Sequence, residues 1–126
     1  MYEVEIVNKG NSAFYVRSKD CEFIIDMNGN GITPPDTLLA SLGSCVGVYI
    51  RKYAEGAKLR LEKFKIKVSA EFSKEPPACF KVINVSIDLI DADLDERRKK
   101  ALLEFIKNCP VHNTLKADPA IQISIA

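Results

Sequence analysis

Apolar and polar residues alternate through the first third of the chain. Tyr2, Val4 and Ile6 form one such run, Phe14 and Val16 a second, and Cys21, Phe23, Ile25 and Met27 a third, separated by Lys9-Gly10-Asn11 and Ser18-Lys19-Asp20. A period of two with turn-forming breaks predicts short strands over residues 1–30, ended by the loop Asn28-Gly29-Asn30-Gly31. The period then changes. Leu38, Leu42, Cys45 and Tyr49 share one helical stripe, and Leu39, Val46, Ile50 and Tyr53 widen it, which predicts a long helix over 33–56. Thr33 suits its N-cap, Pro34 and Pro35 its first turn, and Asp36 its positive end. Ala40, Gly43, Ser44 and Gly47 make a second face of very small side chains. Each interior glycine costs a helix about 1 kcal/mol relative to alanine, so something must approach this face closely.

Beyond the helix, Phe64, Ile66, Val68, Ala70 and Phe72 alternate cleanly, as do Ile83, Val85, Ile87 and Leu89, with Lys74-Glu75-Pro76-Pro77 between them. A strand hairpin over 62–90 follows. Asp93, with Glu96 three residues on, opens a second helix over 93–108. Its apolar stripe is Leu94, Ala101, Leu102, Phe105 and Ile106, against a charged face from Arg97 to Lys100. Asn108-Cys109-Pro110 stops it, because the residue before a proline is pushed out of the helical region. Ile121, Ile123 and Ile125 predict a closing strand over 118–126. Strands, helix, hairpin, helix and strand in that order argue for a single α+β domain.

Composition narrows the function classes. A formal charge of +1 gives no electrostatic reason to expect nucleic acid or an anionic membrane as partner. No apolar run reaches the roughly 18–20 residues that span a bilayer. MYEVEIVNKG carries glutamates where a signal peptide would be basic and then apolar, so a cytoplasmic location is expected. In a reducing compartment static disulfides are uncommon, and Cys21, Cys45, Cys79 and Cys109 point rather to metal or redox chemistry. Metal is the weaker option. Cys109-Pro-Val-His112 offers half a site, and no two cysteines have the spacing of a zinc knuckle; neither metal nor cofactor is expected.

Two cysteines hold the chemical interest. Cys45 lies on the apolar stripe, with its thiol pointing inward, where desolvation opposes the thiolate. It reads either as an inert packing residue or as a reactive sulfur that a cation must reach. Cys109 stands just before a proline that can open a new helical turn, so it reads as an N-cap whose neighbouring N–H groups favour the thiolate, or as a loop cysteine. Only tertiary packing could join two residues so distant in sequence, and side-by-side helices leave a disulfide between them geometrically open. Arg51 is expected to be solvent-exposed or paired with Glu55, and His112 to pack, to cap, or to orient Cys109. Cys21 and Cys79 read as packing residues.

TPPDTLLASLGSCVGVYIRKYAE resembles the central-helix signature of the OsmC/Ohr family, and CPVHNTL resembles the family's second motif. The likeness extends from about Gly31 to Ala126. It implies an OsmC-like fold, antiparallel β-sheets wrapped around long central helices in an intertwined homodimer. It also implies thiol peroxidase chemistry without a prosthetic group. Cys45 would be the peroxidatic thiolate that attacks an organic hydroperoxide. Cys109 would resolve the product as a disulfide, and a dithiol reductant of lipoyl or thioredoxin type would reopen it. The family holds its thiolate with an arginine oriented by a carboxylate; Arg17 and Asp36 are the matching candidates, Asp36 one methylene shorter than the family's glutamate. Two other readings keep the fold: a binder of a small hydrophobic ligand or a thiol redox sensor without efficient turnover, and a structural dimer with inert thiols.

Overall fold

In the computed structural model, residues 1–90 and 92–126 are described, and they gather into two compact units, Met1–Ala40 and Ser41–Ala126. The first is built on three short strands, Glu5–Asn8 (β1), Ala13–Arg17 (β2) and Glu22–Asp26 (β3), paired antiparallel in that order. Asn8 folds the first turn: its amide donates to the carbonyls of Asn11 and Ala13 at 2.7 and 2.9 Å, and its Oδ1 accepts from the Gly10 N–H at 3.1 Å. Gly10 has a φ of 101°, a left-handed conformation that L side chains rarely adopt. Asp26 is buried and caps its own loop by accepting from the Asn28 N–H at 2.8 Å.

The long helix α1 spans Pro34–Gly56. Thr33 and Asp36 form a reciprocal cap: the Asp36 N–H donates to Thr33 Oγ1 at 3.2 Å, and that hydroxyl donates to Asp36 Oδ2 at 2.9 Å. At the other end the Leu59 N–H reaches the Ala54 carbonyl at 2.8 Å and the Lys58 N–H that of Glu55 at 3.3 Å, with Lys58 at a φ of 54°. This is a Schellman close in which lysine takes the left-handed position glycine usually fills.

In the second unit α1 meets the hairpin of Lys65–Phe72 (β4) and Phe80–Asp88 (β5). Leu42, Val46, Ile50 and Ala54, one turn apart in succession, form the buried spine of the core with Leu61, Leu94, Leu102 and Cys109. The small face of α1 is explained by β4 and the residue just before it. A Cβ on Gly43 would lie 2.8 Å from Val68 Cγ2, and one on Gly47 3.3 Å from Ile66 Cδ1 and 3.5 Å from Phe64. These two positions therefore separate. Gly43→Ala is expected to destabilise by about 1 kcal/mol, overpacking outweighing the gain in helix propensity. Gly47→Ala is expected to be neutral or slightly stabilising, within about 0.5 kcal/mol. Urea unfolding of both variants checks the contrast.

Four details differ from the sequence pattern. The second helix, Glu96–Ile106 (α2), is capped by Asp95 and not Asp93, because Asp95 Oδ1 accepts the Arg98 N–H at 2.8 Å. A short helix, Pro110–Lys116 (α3), begins directly behind Cys109. Cys21 and Cys79 are exposed rather than packed; Cys79 begins the return from the hairpin tip, where its sulfur lies 3.8 Å from Ser73 Oγ. Residues 118–126 form no strand, and Ile121, Ile123 and Ile125 are 81%, 90% and 97% exposed. Alternation makes a segment able to be a strand, but only hydrogen bonding to an edge makes it one. Among the described residues no helix is long and apolar enough to cross a membrane.

Candidate active site

Cys45 stands mid-way along α1 and is half-buried; Cys109 stands at the N-cap of α3 and is fully buried. Helix α1 brings its sulfur to this place through the spine on either side of it, Leu42 and Val46 being buried in the core cluster to which Cys109 also belongs. Cys109 is placed by a double helix end. Its N–H still bonds back to the Ile106 carbonyl at 3.0 Å, while its own carbonyl accepts the Asn113 N–H at 3.0 Å and starts α3. Proline at the next position fits this junction, since the first N–H of a helix needs no partner within it.

Both cysteines are reduced, and Cys45 packs against the cluster that contains Cys109. Burial pushes the Cys45 thiol above the ordinary cysteine range, and the neighbouring Cys109 thiol pushes it the same way. The Val111 N–H donates to the Cys45 sulfur and works in the other direction, as does the positive charge of Lys52. The net effect is upward. Within this unit, then, the surroundings of the Cys45 sulfur favour the thiol over the thiolate.

The sequence pattern assigned these parts differently. It makes Cys45 the deeper thiol and gives the helix-end N–H to Cys109. In the structure Cys109 is the fully buried one and makes no side-chain capping bond, while the amide at the start of α3 turns to Cys45. The reason is packing: the N-cap position faces the core, and the apolar cluster leaves the mid-helix sulfur partly uncovered. Tyr49 and Tyr53 line the same side of α1, their rings 5.8 and 5.7 Å from that of Phe105 on α2. The Nζ of Lys52 lies 4.8 Å from the Tyr49 ring centroid. Lys52 and Val111 lie within the two motif stretches, but neither motif marks them as acting on the sulfur; the seven-residue spacing from Cys45 is the one signal for Lys52.

Of the other candidates, Arg17 pairs with Glu22 on the neighbouring strand at 2.9 Å, an exposed ion pair, and Asp36 is held in the cap with Thr33. Arg51 does not use Glu55; it donates to the Glu62 carbonyl at 3.2 Å and lies over the Phe64 ring at 5.0 Å. His112 Nδ1 is 3.3 Å from Asn113 Oδ1.

The sequence matches the family model described as OsmC-like protein over residues 27–124. No curated protein matches it significantly. Among solved structures, the fold is similar to an OsmC-like protein from Mycoplasma pneumoniae, with a TM-score of 0.79 and 22% identity over 92% of this chain and 87% of that one. It is also similar to an organic hydroperoxide resistance protein OsmC from Legionella pneumophila, with a TM-score of 0.64 and 18% identity over 91% and 88% of the two chains. A third is an organic hydroperoxide resistance protein from Elizabethkingia anophelis, with a TM-score of 0.62 and 16% identity over 90% and 88%.

Proposed function

The chain belongs to the OsmC-like protein family, and from that membership we propose that it reduces organic hydroperoxides with a pair of cysteines. The observation that carries this reading is the packing of Cys45 against the buried cluster that contains Cys109, whose thiol acts on its ionisation. The two cysteines share one side of the core, and the half-exposed Cys45 is the one a substrate can meet. Two of the similar structures are organic hydroperoxide resistance proteins, which agrees in substrate class.

The steps balance as follows. The Cys45 thiolate attacks the terminal oxygen of the hydroperoxide, the O–O bond breaks, and the leaving alkoxide takes a proton to depart as an alcohol. Cys45 is then a sulfenic acid. The Cys109 sulfur attacks it, water leaves, and a disulfide remains. A dithiol reductant, lipoyl or thioredoxin in type, exchanges with that disulfide and returns both thiols. Apolar surroundings from Tyr49, Tyr53 and Phe105 favour an organic peroxide over hydrogen peroxide.

The first step needs the thiolate, which burial and Cys109 oppose. We assign Arg17 the role of supplying charge to the sulfur and Asp36 that of orienting it, in a homodimer of this chain. The isoleucines of 118–126, exposed yet patterned as a strand, are suited to pairing with an edge of a second copy. A guanidinium near the sulfur lowers its pKa, so its loss raises it. Arg17→Gln is expected to move the half-point of Cys45 labelling by iodoacetamide to higher pH than in wild type. Superimposable labelling curves for variant and wild type would remove Arg17 from the site.

The reaction itself is tested by mixing reduced protein with cumene hydroperoxide and following thiols by mass spectrometry. Fast appearance of a Cys45–Cys109 disulfide, one per hydroperoxide consumed, is the expected result. The upward push on Cys45 favours one other outcome, slow oxidation without turnover, which would make the protein a thiol sensor or a small-ligand binder. Seconds against hours separates the two.

A further inference from the structure

We propose that Lys52 is a positioning residue for the charge on Cys45: it stands two turns further along the same face of α1, with its ammonium over the ring of Tyr49 between them. The inference rests on the reading of Cys45 as the reacting thiol, and adds a cation to which the family resemblance gives no role.

The geometry is set by helix spacing. Cys45, Tyr49 and Lys52 stand at i, i+4 and i+7, one above the other on a single face. Side chains on a helix tilt toward its N-terminus, so a lysine two turns beyond the cysteine extends in the direction of the sulfur. The contact with Tyr49 agrees with that direction: the Lys52 Nζ lies 4.8 Å from the ring centroid of the residue between it and Cys45 in the stripe. Tyr49 is itself fixed by packing against Phe105 of α2 at 5.8 Å. The ring thus keeps a flexible ammonium on the cysteine's side of the helix, where a cation over an aromatic face is favoured.

The groups acting on the sulfur come from two places. On its own helix there is Lys52; from the junction before α3 come the Cys109 thiol and the Val111 N–H. Cys109 withdraws the advantage of ionisation and Val111 gives part of it back, so Lys52 is the full positive charge in this set. It is exposed, which makes its influence modest and strongly dependent on salt.

The test measures ionisation of Cys45 without any peroxide. Reduced wild type, Lys52→Gln and Lys52→Arg are labelled with iodoacetamide from pH 6 to 10, and modification at Cys45 is quantified by peptide mass spectrometry. Lys52→Gln is expected to slow labelling at neutral pH by about two- to fourfold, a change suited to one exposed charge several ångströms away. Lys52→Arg is expected to restore the wild-type rate. The wild-type advantage should disappear in about 1 M KCl, where the screening length is only ~3 Å. Equal rates for wild type and Lys52→Gln would overturn the inference. So would a slower Lys52→Gln that arginine does not rescue and salt does not alter, since that pattern marks lost packing against Tyr49. The two readings fail separately. If Lys52→Gln behaves as described while wild type leaves cumene hydroperoxide untouched, the peroxidase assignment falls and the role of Lys52 stands.

Discussion

Cys45→Ser is expected to lower hydroperoxide consumption by at least about a thousandfold, because a serine hydroxyl has neither the ionisation nor the polarisable lone pairs of a thiolate. Cys109→Ser is expected to behave differently. Cys45 still attacks the first equivalent of hydroperoxide, so single-turnover loss of one thiol persists within a few-fold of wild type. The sulfenic acid then has no neighbour to close on, and it is trapped by dimedone or over-oxidised to the sulfinic acid. Steady-state turnover with a dithiol is lost. Replacing Cys109 also removes the partner that helps hold the Cys45 proton, so the first step in this variant is expected to be no slower than in wild type at neutral pH. The reverse pattern, with Cys109→Ser inert and Cys45→Ser competent in the first step, would exchange the roles of the two sulfurs. Rapid-mixing assays with cumene hydroperoxide, read by tyrosine fluorescence and mass spectrometry, distinguish them.

Much of this arrangement is legible in the chain itself, and the parts that are not have identifiable causes. Thr33, the two prolines and Asp36 announce the start of α1 because caps are local chemistry, and the structure shows the reciprocal hydrogen bonds they imply. The small face of α1 is equally visible, but not what lies against it. A stripe of glycines says that something comes close, and only the coordinates show it to be Val68, Ile66 and Phe64 of the following strand region. The start of α2 illustrates the limit of short motifs. Only Asp93 has a glutamate three residues on, yet the backbone starts the helix behind Asp95, whose carboxylate accepts the Arg98 N–H. Cys109 is readable as an N-cap from Pro110, whereas its complete burial is a property of the core around Leu102 and Ile50. The ion pair of Arg17 with Glu22 depends on strand register, which places residues 17 and 22 opposite each other. Lys52 escapes notice for a simpler reason: a lysine on a helix is usually a solvated charge, and its relation to Tyr49 exists only in three dimensions.

The largest loss of stability is expected at Ile50, the side chain on which the second unit converges. It is wholly buried, and it occupies the middle of the spine formed by Leu42, Val46 and Ala54. Ile50→Ala removes three carbon atoms from a place where helix α1, helix α2 and the hairpin all contribute side chains to one cluster. Neighbours anchored on rigid elements cannot close the gap, so loss of transfer energy and a residual cavity add, for a cost of about 3–4 kcal/mol. For a chain of 126 residues this corresponds to a fall in Tm of roughly 10–15 °C. Leu103→Ala is the control, since that leucine is exposed on α2 and its truncation is expected to change stability by no more than about 0.5 kcal/mol. The same cavity bears on the chemistry. Leu102 and Cys109 belong to the cluster Ile50 fills, so a loosened core gives the Cys109 sulfur more freedom relative to Cys45. In Ile50→Ala the disulfide is therefore expected to form more slowly after the first oxidation, with more sulfinic acid at Cys45, at temperatures where the variant is still folded. Denaturant unfolding measures the first effect and mass spectrometry the second. A cost below about 1 kcal/mol would mean that the site collapses around the missing atoms, and Cys109 would then owe its position to the helix junction rather than to the core.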